Sequence, residues 1–179
     1  MSEIKYIVQD VRSPEGDGRK IVAHVCNDLG RMGSGVAKAL MDKWPQVRSE
    51  YVKWHKTNEL NGRPKPFKLG AVQFIHCEGE IVVANVIGQH DIRSKGGIPP
   101  VRYEALREGF AFIANVAKFY EASVHVPYLM GCDLAGGDWE VVETILEEEL
   151  ISQGVEVTAY DLFNKRVEAF NCVDIGVGI

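Results

Sequence analysis

The chain has 179 residues, 46% of them hydrophobic and 25% charged, a balance that suits a globular domain with one sizeable core. A formal net charge of −5 argues against a nucleic-acid groove, which relies on clustered Lys and Arg, so any anionic ligand must be held locally. No apolar run approaches the roughly 20 residues of a membrane span, and MSEIKYIVQD lacks the regions of a signal peptide, which together predict a cytoplasmic protein with no membrane partner.

Cys26, Cys77, Cys132 and Cys172 are scattered without a C-x-x-C pair, which fits reduced thiols better than disulfides or a structural zinc. Residues 4–11 read as a first strand ending in Gln9-Asp10-Val11, with an acid where α/β sheets bind ligands; an ordinary turn acid would look the same. Residues 13–20 (SPEGDGRK) form a loop by their Pro, Gly and Asp content. Ile21, Val22, Ala23 and Val25 then give a buried strand that runs into a glycine-rich turn and directly on into a helix, with Ser34 as its N-cap. Gly30, Gly33 and Gly35 let the backbone approach a ligand, and free amides at a helix N-terminus hold an anion without a lysine. The same glycines would also serve a plain connector.

His24, Cys26 and Asp28 alternate along the end of this strand, an order expected to place polar side chains beside the anion site; zinc held by the three is the alternative. Neither G-x-G-x-x-G nor the Walker pattern is present. Val36, Ala37, Leu40, Met41 and Trp44 follow helical spacing, Pro45 restarts the helix, and Val47, Tyr51 and Trp54 continue it as core. Residues 61–70 (NGRPKPFKLG) are too proline-dense for either element. Residues 71–77 and 81–87 form a hairpin, residues 88–100 a long loop of the kind that carries function, and residues 102–120 a helix. A short strand at 123–127 leads into a second glycine-rich turn, MGCDLAGGDW, then a helix over 138–151 and a final strand at 155–160. Two such turns imply two anionic groups. One domain over 1–163 is expected, with no structure assigned to the tail 164–179.

This order predicts a mixed central sheet flanked by helices, three layers in all, with ligand at the strand ends. At residues 4–162 the chain resembles the macrodomain family of ADP-ribose-binding proteins. VQDV resembles the family's first-strand motif, which implies that Asp10, beside Val11, reads the adenine amino group. AHVCNDLGRMGSGVA resembles its catalytic loop, which implies Asn27, Gly33, Ser34, Gly35 and Val36 around the distal ribose. MGCDLAGGDW resembles its diphosphate loop, which implies contacts from Gly131, Cys132, Asp133, Leu134, Ala135, Gly136 and Gly137, with Gln89 and Leu162 completing the pocket.

HVCN in place of the more common N-A-A-N resembles the branch that holds ADP-ribose 1″-phosphate phosphatases and the terminal ADP-ribose protein glycohydrolase. That resemblance implies a metal-independent hydrolase without cofactor, with His24 in catalysis. The glycohydrolase's lysine and aspartate fall here on Gln89 and Ala135, which favours the phosphatase, while Lys95 and Asp133 lie nearby. A histidine titrating near neutrality beside amide donors suits monoester hydrolysis, as leaving-group acid or as the phosphoryl acceptor. Asp138 reads either as the acid that aims water or as the cap of its helix. His76, His90 and His125 have weaker cases. The expected substrate is ADP-ribose 1″-phosphate; the alternatives are a non-catalytic ADP-ribose reader and a hydrolase of ADP-ribosylated protein.

Overall fold

The computed structural model describes residues 2–166, so Cys172 and residues 167–179 of the expected tail lie outside the described residues. Strand β1 (Lys5–Ile7) is followed by β2 (Lys20–Asn27), α1 (Gly35–Lys43) and α2 (Gln46–Thr57). A small ladder of β3 (Glu59–Leu60) and β4 (Arg63–Pro64) precedes the hairpin of β5 (Val72–Glu78) and β6 (Ile81–Gln89). Then come α3 (Tyr103–Tyr120), β7 (Ser123–Pro127), α4 (Trp139–Glu149) and β8 (Val157–Tyr160). No described helix is long and apolar enough to cross a membrane.

Six strands form one sheet in the order β1-β8-β7-β2-β6-β5, parallel throughout except for the β5–β6 hairpin. Period-two alternation in β2 sends Ile21 and Ala23 to one face and Val22 and Cys26 to the other. The first pair meets Leu106, Phe110 and Ile113 of α3 and Val142, Ile145 and Leu146 of α4. The second meets Leu40 of α1 and Val47, Tyr51 and Trp54 of α2, so helices cover both faces and the sheet is buried on each. This is the three-layer α/β/α architecture with a mixed sheet that the element order predicts.

Two expectations need correction. The first strand stops at Ile7 rather than running to residue 11, because its only neighbour, β8, ends at Tyr160 opposite Ile7. Past that point the backbone turns, with Ser13 N–H donating to Asp10 O at 3.0 Å. The proline-dense connector does contain a ladder, and it tolerates Pro64 because a two-residue pair outside the main sheet leaves a missing donor without cost.

The topology decides where a ligand can sit. Neighbouring strands β2 and β7 lead to helices on opposite faces, α1 on one and α4 on the other. Their loops diverge and leave a crevice at the carboxyl ends of the strands, the switch point at which open α/β sheets bind ligands.

Candidate functional site

A cavity of about 220 Å³ occupies that crevice, lined by residues 24–27 and 31–37 on one side and 127–135 on the other, with Gln89 and Ile92 at the end of β6. Both walls present backbone amides. Among the described residues, the N–H groups of Met32, Gly33 and Ser34 carry no hydrogen bond, and those of Gly35, Val36 and Ala37 form the first helical turn, which has no intrahelical acceptor. Opposite them, the N–H groups of Asp133, Leu134 and Ala135 are likewise without a partner among the described residues. Ser34 takes the N-cap position, yet its hydroxyl makes no capping bond and stays available.

The first loop is built around Asn27. Its Oδ1 accepts from Leu29 N–H at 3.0 Å and Arg31 N–H at 3.2 Å, and its Nδ2 donates to Arg31 O at 2.6 Å. Helix α2 braces the loop from behind: Tyr51 hydroxyl donates to Asn27 O at 2.5 Å, and Arg48 Nε donates to Met32 O at 3.3 Å. Gly35 has a φ of +58°, a left-handed conformation that a side chain would strain at the point where the helix begins. The second loop closes on itself through Gly137 N–H and Gly131 O at 2.9 Å, and a Cβ on Gly137 would lie 2.5 Å from that oxygen. Leu129 in the same wall also adopts a left-handed φ of 64°, a conformation costly for a branched side chain and common at binding sites.

Of the residues expected at the site, His24, Asn27, Gly33, Ser34, Gly35, Val36, Gln89, Gly131, Cys132, Asp133, Leu134 and Ala135 line this cavity. Asp10, Val11, Gly136, Gly137, Leu162 and Asp138 do not. Asp10 is held by Arg12, whose Nη2 lies 2.7 Å from Oδ2, and that guanidinium keeps the carboxyl below its usual range. Val11 is buried at 7% exposure against the α1–α2 layer, and Leu162 is exposed. Gly136 and Gly137 shape the second loop rather than line it. Asp138 caps α4, its Oδ1 accepting from Glu140 N–H at 2.9 Å, so the capping alternative is the one its geometry fits.

The histidine expectation changes most. His24 does line the cavity, but it is only 2% exposed, and its Nε2 lies 2.5 Å from Oδ1 of Asn85 on the neighbouring strand β6. Burial lowers its pKa from 6.5 to about 4 against a smaller opposing effect of that hydrogen bond, so the imidazole is neutral at pH 7 rather than titrating near it. Burial also pushes the neighbouring Cys26 thiol up, which keeps it protonated. Asp28 does not join the pair: its Oδ2 accepts from His90 Nδ1 at 2.7 Å and its Oδ1 from Asp91 N–H at 2.9 Å. That parting removes the proposed His24, Cys26 and Asp28 zinc set. Lys95 is engaged by Asp91 at 2.7 Å, while burial raises the thiol of Cys132 to about 12.

One functional candidate was missed in the sequence. Arg31 lines the cavity, is exposed, and its guanidinium has no hydrogen-bond or ion-pair partner among the described residues. The signal was present, since Arg31 lies inside the glycine-rich turn between Gly30 and Gly33.

No protein-family model and no curated protein matches the chain. Solved structures do. A protein of unknown function from Bacteroides thetaiotaomicron is 45% identical, with a TM-score of 0.84, over 89% of this chain and 98% of that one. A macrodomain protein from Streptomyces coelicolor is 42% identical, with a TM-score of 0.77, over 89% of this chain and 99% of that one. The Thermosipho africanus DarTG structure, in complex with ADP-ribose, shares the fold at 18% identity and a TM-score of 0.64, over 78% of this chain and 37% of that one. With a two-loop crevice at the sheet's switch point and this likeness to the Streptomyces protein over nearly its whole length, the chain belongs to the macrodomain family.

Proposed function

We propose that the chain binds ADP-ribose in the crevice between β2 and β7 and hydrolyses ADP-ribose 1″-phosphate to ADP-ribose and phosphate. The observation that carries the binding half is the pair of amide rows, one on each wall, that have no partner among the described residues, which suits a diphosphate without a metal ion. The ADP-ribose held by the Thermosipho africanus protein supports the same ligand through likeness of fold. In this reading the 131–137 loop holds the diphosphate, Asn27, Gly33, Ser34 and Gly35 surround the distal ribose, and Asp10, which does not line the cavity and is paired with Arg12, would have to exchange that partner to receive the adenine amino group.

The hydrolytic half rests on Arg31 and His24. Arg31 offers a cation at the distal-ribose wall, where a phosphate dianion would otherwise depend on backbone amides alone. His24, neutral at pH 7, acts as proton acceptor rather than leaving-group acid. Water gives a proton to the imidazole as its oxygen bonds to phosphorus. The P–O1″ bond breaks with its electron pair on O1″, which takes a proton from solvent, and the imidazolium returns its proton to solvent. A non-catalytic binding role is the second reading, favoured by the 2% exposure of His24.

Calorimetry with ADP-ribose and phosphate release from ADP-ribose 1″-phosphate test both halves together. His24→Ala is expected to lower turnover by about 10²–10⁴-fold with ADP-ribose affinity unchanged, because a proton-transfer group acts mainly in the transition state. Binding without phosphate release from the native protein would leave the binding role, with ADP-ribosylated protein as the next ligand to supply. Absence of ADP-ribose binding would overturn both.

A further inference from the structure

The face of the sheet beneath α2 carries three polar residues in one cross-strand row, where the sequence pattern gives only apolar neighbours. His24 of β2 is the register partner of Asn85 in β6, and Asn85 is the register partner of Gln73 in β5. Their exposures are 2%, 0% and 3%, so each polar atom must find a partner inside the protein. Among the described residues no buried side-chain nitrogen or oxygen lacks one.

The direction of this row is fixed at its far end. Gln73 Nε2 donates to the backbone oxygen of Glu50 in α2 at 3.0 Å, and a carbonyl can only accept. Gln73 therefore turns Oε1 toward Asn85, whose Nδ2 donates to it at 3.1 Å. Val47 O, also in α2, accepts from the same Nδ2 at 3.2 Å, so two carbonyls independently demand one orientation of the Asn85 amide. Asn85 Oδ1 is left facing His24 Nε2 at 2.5 Å, and an acceptor there requires that Nε2 carry the hydrogen.

We infer that Asn85 is a positioning residue that locks His24 in the Nε2–H tautomer, with the backbone of α2 setting its direction through Val47 O and Gln73. Nδ1 then keeps its lone pair and is the nitrogen that accepts a proton; the Cys26 Sγ lies 4.0 Å from Nδ1 and 3.6 Å from Nε2, and its thiol donates to Asn85 Oδ1 at 3.8 Å. The tautomer follows from the hydrogen bonds alone, whereas its catalytic use rests on the hydrolase reading above.

Nitrogen-15 NMR of histidine-labelled protein tests the two separately. In the native protein His24 is expected to show a protonated Nε2 and an unprotonated Nδ1 at pH 7. A protonated Nδ1 overturns the inference whatever the activity. Asn85→Leu removes the acceptor and is expected to move the tautomer signals of His24 and to lower phosphate release at least tenfold, with ADP-ribose affinity held; an unchanged tautomer overturns the role of Asn85. Asn85→Asp keeps the acceptor and adds a charge, so it is expected to retain Nε2–H and to raise the pH at which His24 takes its second proton by at least one unit. A titration that does not move would show that residue 85 does not govern the imidazole. If the native protein has the Nε2–H form but releases no phosphate, the hydrolase reading fails and the positioning inference stands.

Discussion

His24 and His125 are each 2% exposed, and burial holds both near a pKa of about 4 instead of 6.5. For His125 the nearby Lys20 ammonium adds to that depression, while the ring is hydrogen-bonded to Tyr160 hydroxyl at 2.6 Å and Ser123 Oγ at 2.8 Å. Between about pH 6.5 and pH 4 the unfolded chain therefore binds protons that the folded chain refuses. The stability linked to these groups is complete above about pH 6.5 and is lost as the pH falls toward 4, by roughly 3 kcal/mol for each histidine. Urea denaturation at pH 7 and pH 4.5 is expected to show the loss, and a folded His125→Gln variant should show a shallower one. Equal acid sensitivity in that variant would remove His125 from the account. The contribution of neutral His24 to the pH profile should correspondingly stay level from pH 8 down to about pH 5, so any change at about pH 6 belongs to the substrate's phosphate dianion. At this scale the sequence was half legible: it exposed His24 and Asn27, but Asn85 is one polar residue in IVVANVIGQ, and its partnership with His24 exists only through strand register.

The two loops and α2 do more for the site than any single side chain. Gly33 is the cleaner place to block the first loop, because a Cβ there meets nothing within 4 Å and its φ is not left-handed, whereas Gly35 would be strained by any side chain. Gly33→Glu is expected to abolish ADP-ribose binding in calorimetry while leaving thermal stability within a few degrees, since the carboxylate would fill the cavity and repel phosphate. Retained affinity in that variant would show that ligand does not reach this wall. Asp138→Ala should remove the α4 cap at a cost of about 1 kcal/mol by denaturant titration, with phosphate release unchanged. A tenfold drop in release by the folded variant would instead give Asp138 a role in aiming water. Long periodic segments such as α2, α3 and the β5–β6 hairpin were readable because their apolar spacing is local. The early end of β1 was not, since it depends on where β8 stops. Nor was the engagement of Asp10 by Arg12, which lies just past that early end.

For the molecule as a whole, the controlling feature is the placement of β7 between β8 and β2, which sets loops from opposite halves of the chain side by side. Residues 24–27 and 31–37 form one wall of the crevice and residues 127–135 the other, while β5, β6 and α3 are threaded between them in sequence. A chain leaving the ribosome from its N-terminus therefore presents the first glycine turn long before there is anything for it to face. Even with the hairpin paired to β2, the nascent protein has half a pocket, and the second half arrives only after residue 137 has cleared the exit tunnel. Nucleotide in the surrounding solution cannot guide the early folding of such a chain. It can only reward completion, so a translation product arrested within α3 would carry the glycine-rich signature that marks the family and still have nowhere to put a ligand.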